Sequence, residues 1–265
     1  MLIGLICGVV VGVILGMTGA GGGVLAMPFL VLGLGIATRD ATPISLVAVA
    51  LASAVGAVTA LRQGVVRYRA AAVMALAGAL CAPLGLRAAH ALPTHVLIVG
   101  FCCVMLLVAV RMLTPALSKN HAETTNRRCP CQVDPHTGRF KWTVACTLSL
   151  AGTGAFAGLF TGMLGVGGGF LIVPALRQLT DVEIRVAAST SLMVVALVSS
   201  ITAAGAIISG VHMPEKGWMF IAATVAGLIA GRAVAGRVPW QWTQITFSIL
   251  VAGVALSWLA RDLLG

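Results

Sequence analysis

The residues whose types and spacing could do chemistry are Gly16-Met17-Thr18-Gly19-Ala20-Gly21-Gly22-Gly23 and a second run, Gly162-Met163-Leu164-Gly165-Val166-Gly167-Gly168-Gly169. A proline, Pro28 or Pro174, follows each run five residues after its last glycine. Consecutive glycines weaken a helix by about 1 kcal/mol each relative to alanine, so both runs are expected to unwind. An unwound backbone in hydrocarbon must be buried in protein or line a cavity, because its amides have no water to bond. Where the helix resumes, near Val24 and Phe170, free amides and the positive end of the helix dipole suit an anion. A plainer reading is close helix packing, for which Gly12-xxx-Gly16 and Gly158-xxx-Gly162 are correctly spaced. Packing explains a small residue at every fourth position; it does not explain three glycines in a row, twice.

Other polar residues gather around these runs. Arg39 and Arg185 each precede an apolar stretch and are followed at equal spacing by Ser45 and Ser191. Arginine offers an anion a fork of donors, although an interfacial arginine that snorkels to the membrane surface has the same sequence signature. Thr18, Thr42, Ser45, Ser53, Ser189, Thr190, Ser191 and Ser199 can complete a polar pocket or bond their own helix carbonyls. The candidate substrate-binding set is therefore Thr18, Gly19, Gly21, Gly22, Gly23, Arg39, Ser45, Gly165, Gly167, Gly168, Gly169, Arg185, Ser189 and Ser191, with Pro28 and Pro174 as structural residues. No catalytic residue, metal ligand or cofactor is expected. His90, His95 and His212 have no H-E-x-x-H or G-x-S-x-G context, and the acids Asp40, Asp181, Glu183 and Glu215 sit at helix margins, which leaves the coupling mechanism open.

These elements are held by a duplicated chain. A shift of 146 positions lays Gly12–Pro93 on Gly158–Pro239 without a gap, pairing Gly19 with Gly165, Arg39 with Arg185, Ser45 with Ser191 and Ser53 with Ser199. With 59% hydrophobic and 9% charged residues, the composition is that of a membrane protein. Apolar stretches near 41–61, 70–92, 96–117, 186–210, 217–236 and 240–260 are long enough to span, and the longer stretches 2–36 and 142–176 carry the glycine runs. The residues 2–17 lack the basic start of a signal peptide and have a copy at 150–163. The fold class expected is all-α: a polytopic transmembrane helical protein of two homologous repeats, each with a Gly-broken re-entrant or discontinuous helix plus three spanning helices. If the glycine segments turn back, the halves are inverted and Lys and Arg distribute 13 against 4 between the two faces; if they cross, the distribution is 11 against 6. Cytoplasmic loops retain the positive charge, so the sharper bias favours inversion. It places loops 62–69, 111–141, 177–185 and 232–239 inside and both termini outside.

The expected division is an N-terminal transmembrane repeat at 1–117, a polar cytoplasmic linker at 118–141 and a C-terminal transmembrane repeat at 142–265. The net charge of +10 is scattered over loops and helix ends, which argues for orientation in a bilayer and against nucleic acid. In a reducing cytoplasm, Cys129 and Cys131 are not expected to be a structural disulfide. Cys7, Cys81, Cys102, Cys103 and Cys146 read as small apolar side chains.

The paired motif G-x3-G-M-x-G-x-G-G-G-x4-P, at Gly12–Pro28 and Gly158–Pro174, resembles the TauE/SafE family of sulfite and organosulfonate exporters, and the likeness extends over nearly the whole chain. The resemblance implies a multi-pass permease of the bacterial inner membrane that moves small sulfur-containing anions such as sulfite or sulfoacetate, with Gly19, Gly21 to Gly23, Pro28, Gly165, Gly167 to Gly169 and Pro174 as motif residues. The C-P-C linker lies outside the family pattern. The expected partners are such an anion and the lipid bilayer, with a homodimer left open. A passive anion channel of the same architecture and a membrane-embedded enzyme are the alternative readings.

Overall fold

The computed structural model describes residues 2–19, 21–36, 38–91, 93–117, 131, 142–180, 182–208 and 215–264. The described residues form ten α-helices: α1 Leu2–Thr18, α2 Gly23–Pro28, α3 Thr38–Arg62, α4 Tyr68–Ala91, α5 Thr94–Leu117, α6 Val144–Leu164, α7 Gly169–Leu179, α8 Ile184–Ile208, α9 Glu215–Ala235 and α10 Trp240–Leu264. Seven of them, all except α1, α2 and α7, are long and apolar enough to cross a membrane. The protein is thus an all-α, polytopic membrane protein.

The glycine runs are helix breaks. Gly19 (φ 84°) ends α1, and Gly165, Gly167 and Gly168 (φ 67°, 83° and 57°) separate α6 from α7; side chains rarely adopt these angles, and glycine does so freely. After each break the chain turns back. A Cβ on Gly4, near the start of α1, would lie 3.0 Å from the Leu34 side chain at the far end of the returning segment. That segment is α2 prolonged by a π-helix at Phe29–Gly33, which begins directly after Pro28. Proline supplies no backbone N–H, and the wider turn follows it. In the second half, Cys131 ties together the start of α6 and the end of α7: it is disulfide-bonded to Cys146, and its N–H donates to the Leu179 carbonyl at 3.1 Å. Both broken units therefore begin and end at one level.

Cys146 is accordingly not the free apolar side chain expected from its surroundings, and the linker is not without a disulfide; Cys129 lies outside the described residues. The hairpin of α6 and α7 accounts for the difference, because it brings residues far apart in sequence to one place where Cys131 bridges to Thr180. Such a bond persists where this face meets an oxidising compartment, or forms and opens with the redox state of the cytoplasm.

The two halves interlock. The most extensive helix pairs are α1 with α9 and α4 with α6, followed by α3 with α8 and α5 with α10. Since α1 matches α6 and α4 matches α9 in the duplication, the first two pairs are one interface formed twice. Glycine makes it close: side chains at Gly12 or Gly16 would run into the α9 backbone near Thr224 and Leu228, and side chains at Gly158 or Gly162 into α4 near Gly78 and Ala82. The homologous helices α3 and α8 run antiparallel, with Gln63 beside Arg185 at one end, Gly56 beside Leu192, and both Val49 and Ser199 against Gly167. Inverted halves would have this relation.

The breaks are tied across the α3–α8 pair. Ser45 of α3 donates to the Gly165 carbonyl at 2.6 Å, and Ser191 of α8 donates to the Gly19 carbonyl at 3.3 Å. Both serines are fully buried, and both also reach a carbonyl of their own helix, Thr42 or Ala188, at 2.8 Å. Ser53 and Ser199, the next pair of matched serines, are equally buried and their hydroxyls have no partner.

Two outcomes are expected from this arrangement. Ser45→Ala leaves the Gly165 carbonyl without its donor and lowers stability by about 1–3 kcal/mol, whereas Ser53→Ala removes an unpartnered hydroxyl and is neutral or slightly stabilising. Melting of the purified variants in detergent distinguishes them, and equal losses would contradict the assigned hydrogen bonds. Cys146→Ser opens a crosslink spanning 15 residues, a loop whose closure contributes about 3 kcal/mol in the chain-entropy model. The wild type should therefore melt lower in reductant, while the variant melts alike with and without it; a wild type indifferent to reductant would mean that the bond is not formed.

Candidate functional site

The first break opens on a cavity of about 610 Å³ between α1, α3, α8, α9 and α10. Gly16, Met17 and Gly19 form its inner end, and Gln63, Arg185 and Gly236 lie towards the mouth, on the face that carries the loops after α3, α7 and α9. Thr59, Ser189, Thr243 and Arg232 add polar groups to the wall. Among the described lining residues, the charged side chains are Arg185 and Arg232. Arg185, at the first turn of α8, is exposed and its Nη2 approaches Gln63 Oε1 at 3.5 Å. Arg232 is half-buried at the end of α9, and its Nη1 donates to the Gly56 carbonyl of α3. Two guanidinium groups without a carboxylate among the lining residues give the cavity a positive potential.

The sequence candidates divide into three groups. Gly19, Arg185 and Ser189 line the cavity. Thr18, Gly21, Gly22, Gly23 and Ser191 hold the first break, and Ser45 ties the second through the Gly165 carbonyl. Thr18 Oγ1 donates to the Ile14 carbonyl at 2.7 Å and accepts from the Gly21 amide at 3.0 Å, so it caps the end of α1. A side chain at Gly22 would strike Leu15, and one at Gly23 would meet the Val166 carbonyl at 2.7 Å, so the two breaks touch. The third group, Gly165, Gly167, Gly168 and Gly169, belongs to the second break and does not line the cavity. Arg39 lies in the first turn of α3, and its side chain is outside the described residues. Pro28 is buried within α2 and Pro174 lies within α7.

The second break carries unused donors. The amides of Gly167, Gly168 and Gly169 are buried and have no hydrogen-bond partner among the described residues. The orphaned Ser199 hydroxyl stands beside them, 3.0 Å from where a Cβ on Gly167 would be. Buried polar groups without partners are costly, and a cluster of donors at the N-terminus of α7 is arranged for negative charge. Among the described residues, no group of three His, Cys, Asp or Glu could hold a metal ion.

Sequence reasoning missed Arg232 and Gln63. The comparison of halves could not find Arg232, because its repeat counterpart is Leu86. Its one sequence signal is position: it is an arginine inside an apolar stretch, where a charge is costly without a partner or a wet cavity.

Known proteins are similar to this chain in sequence. The family described as Sulfite exporter TauE/SafE matches residues 4–258. Two curated relatives, each named a probable membrane transporter protein, come from Xylella fastidiosa strains 9a5c and Temecula1; each is 33% identical over 199 residues, covering 74% of this chain and 69% of its own length. No solved structure matches. Spanning helices, family and bacterial relatives together make this a multi-pass protein of the bacterial inner membrane. The family match runs through both glycine breaks and all ten helices, and the chain belongs to the sulfite exporter TauE/SafE family of membrane transporters.

Proposed function

We propose that this protein is a secondary carrier for small sulfur-containing anions such as sulfite or a sulfonate, which enter through the arginine-lined cavity and are passed between the two glycine breaks. The observation that carries the reading is the cavity itself: it ends on the unwound Gly19, and its described lining residues include two arginines and no acid. The idle amides at Gly167 to Gly169, with the Ser199 hydroxyl, support a second station deeper in the fold. Among the described residues, the cavity lining contains no His, Cys, Asp or Glu, which favours binding over catalysis. The second break takes no part in that lining, and its contact with Gly23 lies inward of Gly19; this favours a gated carrier over an open pore. The sulfur chemistry of the substrate rests on family membership.

Proteoliposomes preloaded with unlabelled sulfite should take up labelled sulfite by counterflow. Gly22→Val and Gly168→Val should abolish it while the protein still inserts, because a β-branched side chain fits neither the backbone angle at Gly168 nor the space beside Leu15. Sulfite flux that is downhill only and unaffected by preloading would identify a channel, and undiminished counterflow in both variants would remove the breaks from the path.

The reading includes inverted repeats at 1–117 and 142–265 joined by a cytoplasmic linker at 118–141. Antiparallel α3 and α8 and the folded-back breaks support it. In a variant without the native cysteines, a single cysteine at Asp262 should react with an impermeant maleimide in intact spheroplasts, and one at Asn120 should react only after lysis. Labelling of Asn120 alone would keep the inversion but reverse its orientation, and would place the Cys131–Cys146 bond on the oxidising side.

A further inference from the structure

We propose that the cavity selects doubly charged small oxyanions over singly charged ones and that Arg232 makes the selection; this rests on the small-anion reading above. Arg185 and Arg232 share one cavity, and the partner found for each guanidinium is a neutral acceptor, the Gln63 amide oxygen and the Gly56 carbonyl. Glu183, close to Arg185 in sequence, is exposed and does not line the cavity. Two like charges confined without a carboxylate among the described lining residues repel each other. A monoanion between them compensates one charge, whereas a dianion such as sulfite, sulfate or thiosulfate compensates both.

Arg232 is the more strongly positioned of the two. Its backbone is pressed against α1, where a Cβ on Gly16 would lie 2.9 Å from the Arg232 amide, one turn before the break at Gly19. Its side chain then crosses the cavity to α3, and the absence of a side chain at Gly56 leaves room for it: a Cβ there would lie 3.2 Å from Nη1. One N–H goes to the Gly56 carbonyl, and the fork has further donors for two oxygens of one anion. A guanidinium cannot give up its proton here, so its charge is present whether or not the cavity is occupied. Arg185 sits at the mouth and is exposed to solvent, which screens it. The discrimination between one charge and two therefore falls on Arg232.

Purified full-length protein, titrated at constant ionic strength and pH with sulfate, thiosulfate and methanesulfonate, tests this by calorimetry. The expected result is that sulfate and thiosulfate bind about tenfold or more tightly than methanesulfonate. Arg232→Gln should lose most of that preference by weakening the dianions far more than methanesulfonate, and Arg232→Lys, which keeps the charge without the fork, should retain part of it. Should Arg232→Gln not yield folded protein, the lysine variant and the wild-type ranking still decide. Methanesulfonate binding as tightly as sulfate to the wild type overturns the proposal, as does a variant that weakens all three anions equally. Binding of methanesulfonate without either dianion removes this inference alone, whereas no binding by any of the three removes the small-anion reading as well.

Discussion

Everything in this fold follows from one constraint: a backbone unwound inside a membrane must find hydrogen-bond partners in the protein, because the hydrocarbon supplies none. Here neither half meets that need alone. The carbonyl left open at Gly165 takes its hydrogen bond from Ser45, and the one at Gly19 takes its bond from Ser191. Each break is thus completed by the other half of the chain. This exchange works because α3 and α8 lie side by side and antiparallel, so that two copies of one serine reach two copies of one break. The donors at Gly167 to Gly169 and Ser199 are the exceptions, without a partner among the described residues.

The glycines serve two physical purposes, and the structure separates them. Gly12, Gly16, Gly158 and Gly162 let helices touch backbone to backbone, which in lipid substitutes for the hydrophobic driving force that water would provide. Gly19, Gly165, Gly167 and Gly168 instead take up left-handed angles and turn the chain back. The motif thus serves close packing at some residues and reversal of the chain at others. Their proximity has a consequence: the tight α1–α9 interface ends at Gly16, next to the break, and so fixes Arg232 at the cavity wall.

The fold is close to symmetric and its chemistry is not. Leu86 stands where the second half has Arg232. A carrier built from two similar halves can present its site to either face when the halves exchange conformations. Arg232 is a residue present in only one half, and it falls at the cavity wall.

The sequence by itself determined the environment, the duplication and the places where the helices break. Those properties are local or repetitive: apolar run length, glycine clusters and the 146-residue shift are all legible along the chain. Tertiary structure alone decided what the polar residues do. Ser45 and Ser191, plausible as ligands in sequence, hold carbonyls 120 and 172 residues away. Cys131 and Cys146 look unrelated until the α6–α7 hairpin brings Leu179 and Thr180 alongside them. Arg232 looks like an interfacial charge until Gly56 and the cavity place it inside. Local composition sets what a segment can form, but a polar group in a membrane is defined by its partner, and partners distant in sequence are chosen only when helices pack.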